Sequence, residues 1–147
     1  MKALNLPEYN CVIQKTDGKL TIFDPIRKKY IVLTPEEWVR QNFLNYLIEH
    51  LSYPRSLIRV ESGLSYNKLS KRSDIVVHDR EGKPVMLVEC KAYDVSIGQG
   101  TFEQAAMYNH TLSASYIVLT NGMEHWCCEI VENGLKFLET IPRFEDL

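Results

Sequence analysis

The chain has 147 residues, a formal net charge of −2, and 45% hydrophobic against 24% charged residues, which suits a single folded domain with a proper core. That balance argues against a strongly basic protein that coats nucleic acid, and no run approaches the roughly 18 apolar residues of a membrane span. The start, Met1-Lys2-Ala3-Leu4-Asn5, lacks the apolar core of a signal peptide, so a cytoplasmic location without membrane attachment is expected.

From Cys11 to Leu33 the residues alternate as strands do. Val12 to Gln14 and Leu20 to Phe23 flank Asp17-Gly18, a strong hairpin signal, and Lys29 to Leu33 supplies a third strand. Residues 1–33 therefore read as a small β extension without chemistry of its own, and Arg27-Lys28-Lys29 as a solvated loop. Thr34-Pro35-Glu36-Glu37 opens a helix with Thr34 as N-cap, Pro35 at the first helical position and Glu37 closing a capping box. That helix is expected to run to His50 or Leu51, with Val39, Phe43, Tyr46, Leu47 and His50 near one face. Leu57 to Leu64 reads as the first core strand. Ser65 to Arg72 is a polar loop whose Lys68, Lys71 and Arg72 stand where a phosphate backbone could be met before Asp74.

Ser73-Asp74-Ile75-Val76-Val77 and Val85 to Lys91 are short runs rich in β-branched residues around the turn Asp79 to Lys83, the pattern of an antiparallel hairpin. Gly98 and Gly100 lead into a helix from Thr101 to Leu112, with Thr101 as N-cap and Gln104 at the capping-box position; Gln104 and Tyr108 share a face. Ser115 to Thr120 is nearly continuous in apolar residues, as a central strand covered on both faces should be, and after a helical crossover it should run parallel to a core strand. Asn121-Gly122 and Asn133-Gly134 turn the chain into two edge strands. The order predicts an α/β fold, a mixed β-sheet flanked by helices.

The charges of the central hairpin sit where a buried strand should not have them. A period of two puts Glu89 and Lys91 on one face, with Val88 and Cys90 on the other. If pairing carries Asp74 across from Glu89, two carboxylates and a lysine converge. Hard carboxylate oxygens and a backbone carbonyl, that of Cys90, can hold Mg²⁺ or Mn²⁺ with room for water and a phosphate oxygen. A lysine two residues on can orient or help deprotonate the attacking water and counter the charge growing on phosphorus. A surface ion pair at a strand end is the plainer alternative. Cys11, Cys90, Cys127 and Cys128 form no CxxC pair, and the adjacent Cys127 and Cys128 would point to opposite faces of a strand. Reduced thiols are expected, rather than a zinc cluster with His125.

Ser-Asp-Ile-Val-Val followed by Leu-Val-Glu-Cys-Lys-Ala resembles the D…ExK core of the PD-(D/E)XK, or restriction-endonuclease-like, nuclease superfamily. More narrowly, it resembles the N-terminal nuclease domain of type I restriction enzyme R subunits. Thr34 to Gln41, Gln104-x-x-x-Tyr108 and Ser115 to Asn121 match the narrower pattern, and Ser73 departs from it by standing where the motif's name has proline. The resemblance implies a nuclease-like domain over residues 34–147 that hydrolyses DNA with Mg²⁺ or Mn²⁺. It implies Asp74, Glu89 and the Cys90 carbonyl as metal ligands, Lys91 as the catalytic lysine and Gln104 ordering the substrate side, with Tyr108 on the same face. Glu37 has two readings, as a helix cap or as the first-helix glutamate that reaches the metal in many superfamily members. Partners in keeping with the resemblance are DNA, motor or specificity subunits supplied in trans, and a second copy of the chain. A competing reading keeps the fold without the reaction: a nucleic-acid-binding or assembly module, in line with the slight acidity.

Overall fold

A computed structural model of the chain describes residues 1–62 and 73–147, with residues 61, 62, 73 and 74 described by backbone alone. Asp17 and Gly18 both adopt positive φ, 50° and 80°, the backbone that a two-residue hairpin needs if its twist is to match its strands. The turn joins β1 (Ile13–Thr16) to β2 (Lys19–Asp24), and β3 (Lys29–Val32) pairs along the other side of β2. Ile22 and Asp24, two residues apart on β2, are both fully buried.

Thr34 takes extended backbone angles, and its hydroxyl accepts from the Glu37 N–H at 3.0 Å, starting α1 (Pro35–Asn45). Only half of the expected capping box forms, because the Glu37 side chain is drawn elsewhere. Nor does α1 continue unchanged to residue 50. From Tyr46–His50 the helix widens into a π-helical turn, and Ser52 at φ 61° ends it ahead of Pro54. His50 is exposed, while Val39, Phe43 and Leu47 are fully buried.

A six-stranded sheet follows in the order β4 (Ile58–Ser62), β5 (Ser73–His78), β6 (Pro84–Cys90), β7 (Tyr116–Thr120), β8 (His125–Val131), β9 (Gly134–Leu138). All neighbours are antiparallel except β6 and β7, which α2 (Gln99–Leu112) connects as the crossover that parallel strands require. The central strand is thus parallel to a core strand, as expected. β8 is paired on both sides, however, so of the two strands expected at the edge only β9 is there. In the β5–β6 turn, the Asp79 carboxylate accepts from the Glu81 and Lys83 N–H groups at 2.9 Å, and Gly82 supplies φ +83°.

The two faces of the sheet are covered differently. Ile75, Val77, Met86, Val88, Cys90, Val118 and Cys127 pack with Val39, Phe43 and Leu44 of α1 and with Leu47 of the π-helical turn. On the reverse, Val76 and Leu87 pack with Tyr108 and Leu112, and Ile117, Leu119 and Cys128 with Ala105 and Phe102. Burying one such aliphatic side chain contributes about 1.5–3 kcal/mol, so these layers fix which side each β6 residue faces. Cys127 and Cys128 lie on opposite faces, as their adjacency required. Among the described residues, no helix is long and apolar enough to cross a membrane.

Candidate functional site

β6 alternates between the two layers. Leu87 faces α2 and Val88 faces α1, so Glu89 belongs on the α2 face, where it is only 2% exposed. The Lys91 N–H donates to the Thr120 carbonyl at 2.8 Å, which carries the β6–β7 ladder one residue past the strand. The same alternation therefore gives the half-buried Lys91 the side of Glu89.

Pairing adds a transverse row. Ile75 lies opposite Val88, and continuing that register by one residue sets the Asp74 backbone alongside Glu89. On the other side of β5, Asp74 pairs with Glu61. Across β7 and β8, Glu89 pairs with Leu119 and Leu119 with Trp126. Register thus sets the backbones of Glu61, Asp74, Glu89, Leu119 and Trp126 on one line across the sheet. Glu61 went unnoticed in the sequence, because register is a property of pairing. Lys68, Lys71 and Arg72 lie outside the described residues.

α2 runs back from the C-terminal end of β6 to the start of β7. Tyr108 rests on Val76 and Leu87, and Gln104, one helical turn toward the Glu89 end, is exposed. Gln104 does not cap the helix. α2 starts two residues earlier than expected, with Gly98 as N-cap and its carbonyl accepting from the Thr101 N–H at 3.0 Å. Gln104 is thereby left available to solvent near the site.

Glu37 enters a different structure. Arg27 reaches Asp24 at 2.6 Å and Glu37 at 3.0 Å, Gln41 donates to Asp24 at 3.0 Å and to Glu37 at 2.8 Å, and Arg40 bonds both Glu37 and Glu36. Both Glu37 oxygens are engaged by these groups, on the α1 side of the sheet, whereas Glu89 belongs to the α2 side. The network corrects two expectations: Glu37 is neither a full capping-box member nor drawn toward Glu89, and Arg27 is no solvated loop residue. Burial pushes the Asp24 carboxyl up, but the Arg27 N–H and guanidinium and the Gln41 amide outweigh it and hold its pKa below the ordinary value of 3.8. His125 is structural, with Nδ1 2.7 Å from the Thr120 hydroxyl and Nε2 2.9 Å from the Asn5 carbonyl oxygen.

The available donors are hard oxygens. Cys90 directs its side chain into the α1 layer, so on the Glu89 face it can offer only its carbonyl. Among the described residues, no three His, Cys, Asp or Glu side chains gather as a metal cluster, and the Asp74 carboxylate is outside that description. A Glu and an Asp at neighbouring register positions fit Mg²⁺ or Mn²⁺ in chemistry and do not fit a thiolate-bound zinc.

No curated protein matches the chain. The fold is similar to the fragment structure of a protein assigned as the HsdR subunit of a type I restriction enzyme from Vibrio vulnificus YJ016, with a TM-score of 0.56 at 18% identity. The match covers 78% of this chain and 24% of that one, so the present chain spans a minor part of its length. The family model described as type I restriction enzyme R protein N terminus matches residues 35–142, a stretch that takes in α1, the central hairpin, α2 and the closing strands. The chain therefore belongs to the family of type I restriction enzyme R protein N-termini.

Proposed function

We propose that this chain is a nuclease domain that hydrolyses DNA phosphodiester bonds with Mg²⁺ or Mn²⁺, acting with other subunits of a restriction system. The observation that carries the reading is the buried Glu89 carboxylate at the end of β6, with Asp74 beside it in register and Lys91 two residues on. Carboxylate oxygens are the hard ligands that Mg²⁺ and Mn²⁺ take.

Asp74, Glu89 and the Cys90 carbonyl would hold the metal, which when bound polarises the phosphate and lowers the pKa of water. Lys91 orients the attacking water through its ammonium and offsets the charge that grows on the phosphoryl oxygens. Gln104, exposed one turn above Tyr108, hydrogen-bonds the substrate strand and holds the phosphate in line. Lys68, Lys71 and Arg72 supply phosphate contacts, so affinity falls as salt rises.

The test is nicking of a supercoiled plasmid in Mg²⁺ and in Mn²⁺. Lys91→Ala and Glu89→Gln should lose about 100-fold or more in rate, the scale of a lost charge-stabilising group, while Gln104→Ala should lose rate with stability within about 0.5 kcal/mol of wild type. Equal rates for wild type and Lys91→Ala would exclude catalysis by this cluster. A second reading, a non-catalytic DNA-binding or assembly module, draws on the net charge of −2; DNA binding without metal-dependent nicking would favour it.

A further inference from the structure

The row that contains Glu89 ends in an exposed aromatic group. Phe102 of α2, Trp126 of β8 and Phe137 of β9 meet pairwise, with ring centroids 6.1, 5.7 and 6.3 Å apart and interplanar angles of 74–82°. Phe102 packs against the buried cluster of Ala105, Ile117, Leu119 and Cys128, which anchors the group to the core, yet Trp126 is 44% exposed and Phe137 55%. Edge-to-face packing holds each ring in place while Trp126 and Phe137 keep surface for a further planar partner. Exposing two large rings in one patch is unfavourable unless the patch is used.

Position indicates the use. Trp126 pairs with Leu119 and Leu119 with Glu89, so the platform begins two strand spacings, about 10 Å, from the proposed catalytic carboxylate and on the same face. Gln104 follows Phe102 by two residues on α2. On β8 and β9 the exposed aliphatic residues Ile130 and Leu135 form a pair farther from the row.

We propose that Phe102, Trp126 and Phe137 form a stacking platform for unpaired nucleobases, which receives the strand flanking the scissile phosphate; this deepens the nuclease reading and rests on it for the direction of the strand. Every base has a π-face, so recognition is tolerant of sequence but requires bases that are free of a duplex. The preferred substrate is then DNA with a single-stranded segment beside the cut.

The test uses the whole chain in EDTA, with fluorescein-labelled oligo(dT), an abasic oligomer of equal length, and a blunt duplex. Oligo(dT) should bind more tightly than the abasic oligomer and quench tryptophan emission. Trp126→Leu and Phe137→Leu, which keep apolar bulk but lose the π-face, should each weaken oligo(dT) binding by about 5- to 100-fold, the equivalent of one stacked base, with little change for the blunt duplex. Equal affinity for abasic and base-bearing oligomers, or unchanged binding by both Leu variants, overturns the platform. So does sedimentation showing that the patch is covered by a second copy of the chain. Because no metal is present, wild-type protein that stacks bases yet never nicks plasmid sinks the nuclease reading alone, and nicking without base-dependent binding sinks the platform alone.

Discussion

Asp24 on β2 and Gln41 on α1, 17 residues apart, are joined by a 3.0 Å hydrogen bond in the interior, and through it the small N-terminal sheet is tied to the helix that packs under the larger one. Arg27 spans the same gap by bonding Asp24 and Glu37. Breaking a buried pair by removing one charge costs far more than the pair itself contributes, typically about 3–5 kcal/mol. Asp24→Asn, which leaves Arg27 beside a neutral amide, should fall toward that range in urea unfolding.

The same acid sets a pH dependence. Its folded pKa lies below 3.8, so the stability it contributes is complete above that value and is lost as pH falls through the lower, folded one. Wild-type urea midpoints should therefore decline as pH drops below about 4, and Asp24→Asn should decline less over the same range. Parallel curves for the two proteins would mean that Asp24 is not a source of the acid sensitivity.

Metal binding should register as stability. A cation bound by the folded chain alone stabilises it by RT ln(1 + [L]/Kd), about 2.7 kcal/mol at one hundred times Kd. Millimolar Mn²⁺ should raise the melting temperature of wild type and leave that of Glu89→Gln unmoved, whether or not either protein cleaves DNA. An equal rise for both would put the ion elsewhere.

Gly122 turns β7 into β8 at φ +84°, and a Cβ there would lie 2.8 Å from Leu4 Cδ2 and 3.2 Å from Val39 Cγ2. The Asn5 N–H also donates to the Gly122 carbonyl at 2.8 Å. Gly122→Ala should cost about 1–3 kcal/mol from left-handed strain and crowding, measured by chemical denaturation, and should loosen the N-terminal arm as seen by faster proteolysis near Leu4.

Cys127 is buried, and burial first, then Cys128 and Glu129, push its thiol up to about 12. Only the thiolate reacts. In native protein at pH 8, iodoacetamide should leave Cys127 unmodified while denatured protein is alkylated fully, as read by peptide mass spectrometry.

The local elements were legible because their signals are local. Asp17-Gly18 specifies its hairpin, Thr34-Pro35 specifies a helix start, and the apolar run Tyr116 to Leu119 marks a covered strand. Boundaries moved where two local signals competed: Gly98 took the N-cap ahead of Thr101, and the helix after Asn45 widened into a π turn before Pro54. Of the candidate site, the spacing of Glu89 and Lys91 was readable from a period of two.

The burial of Glu89, the line from Glu61 to Trp126 and the capture of Glu37 by Arg27, Arg40 and Gln41 were not readable. Sequence by itself determined the type of each segment and the candidate carboxylates, since propensity and periodicity act within a few residues. Only the tertiary structure decided which strands are neighbours, which acid meets which partner and where aromatic surface remains open, because register and long-range charge pairing are set when separate segments compete to bury their apolar faces.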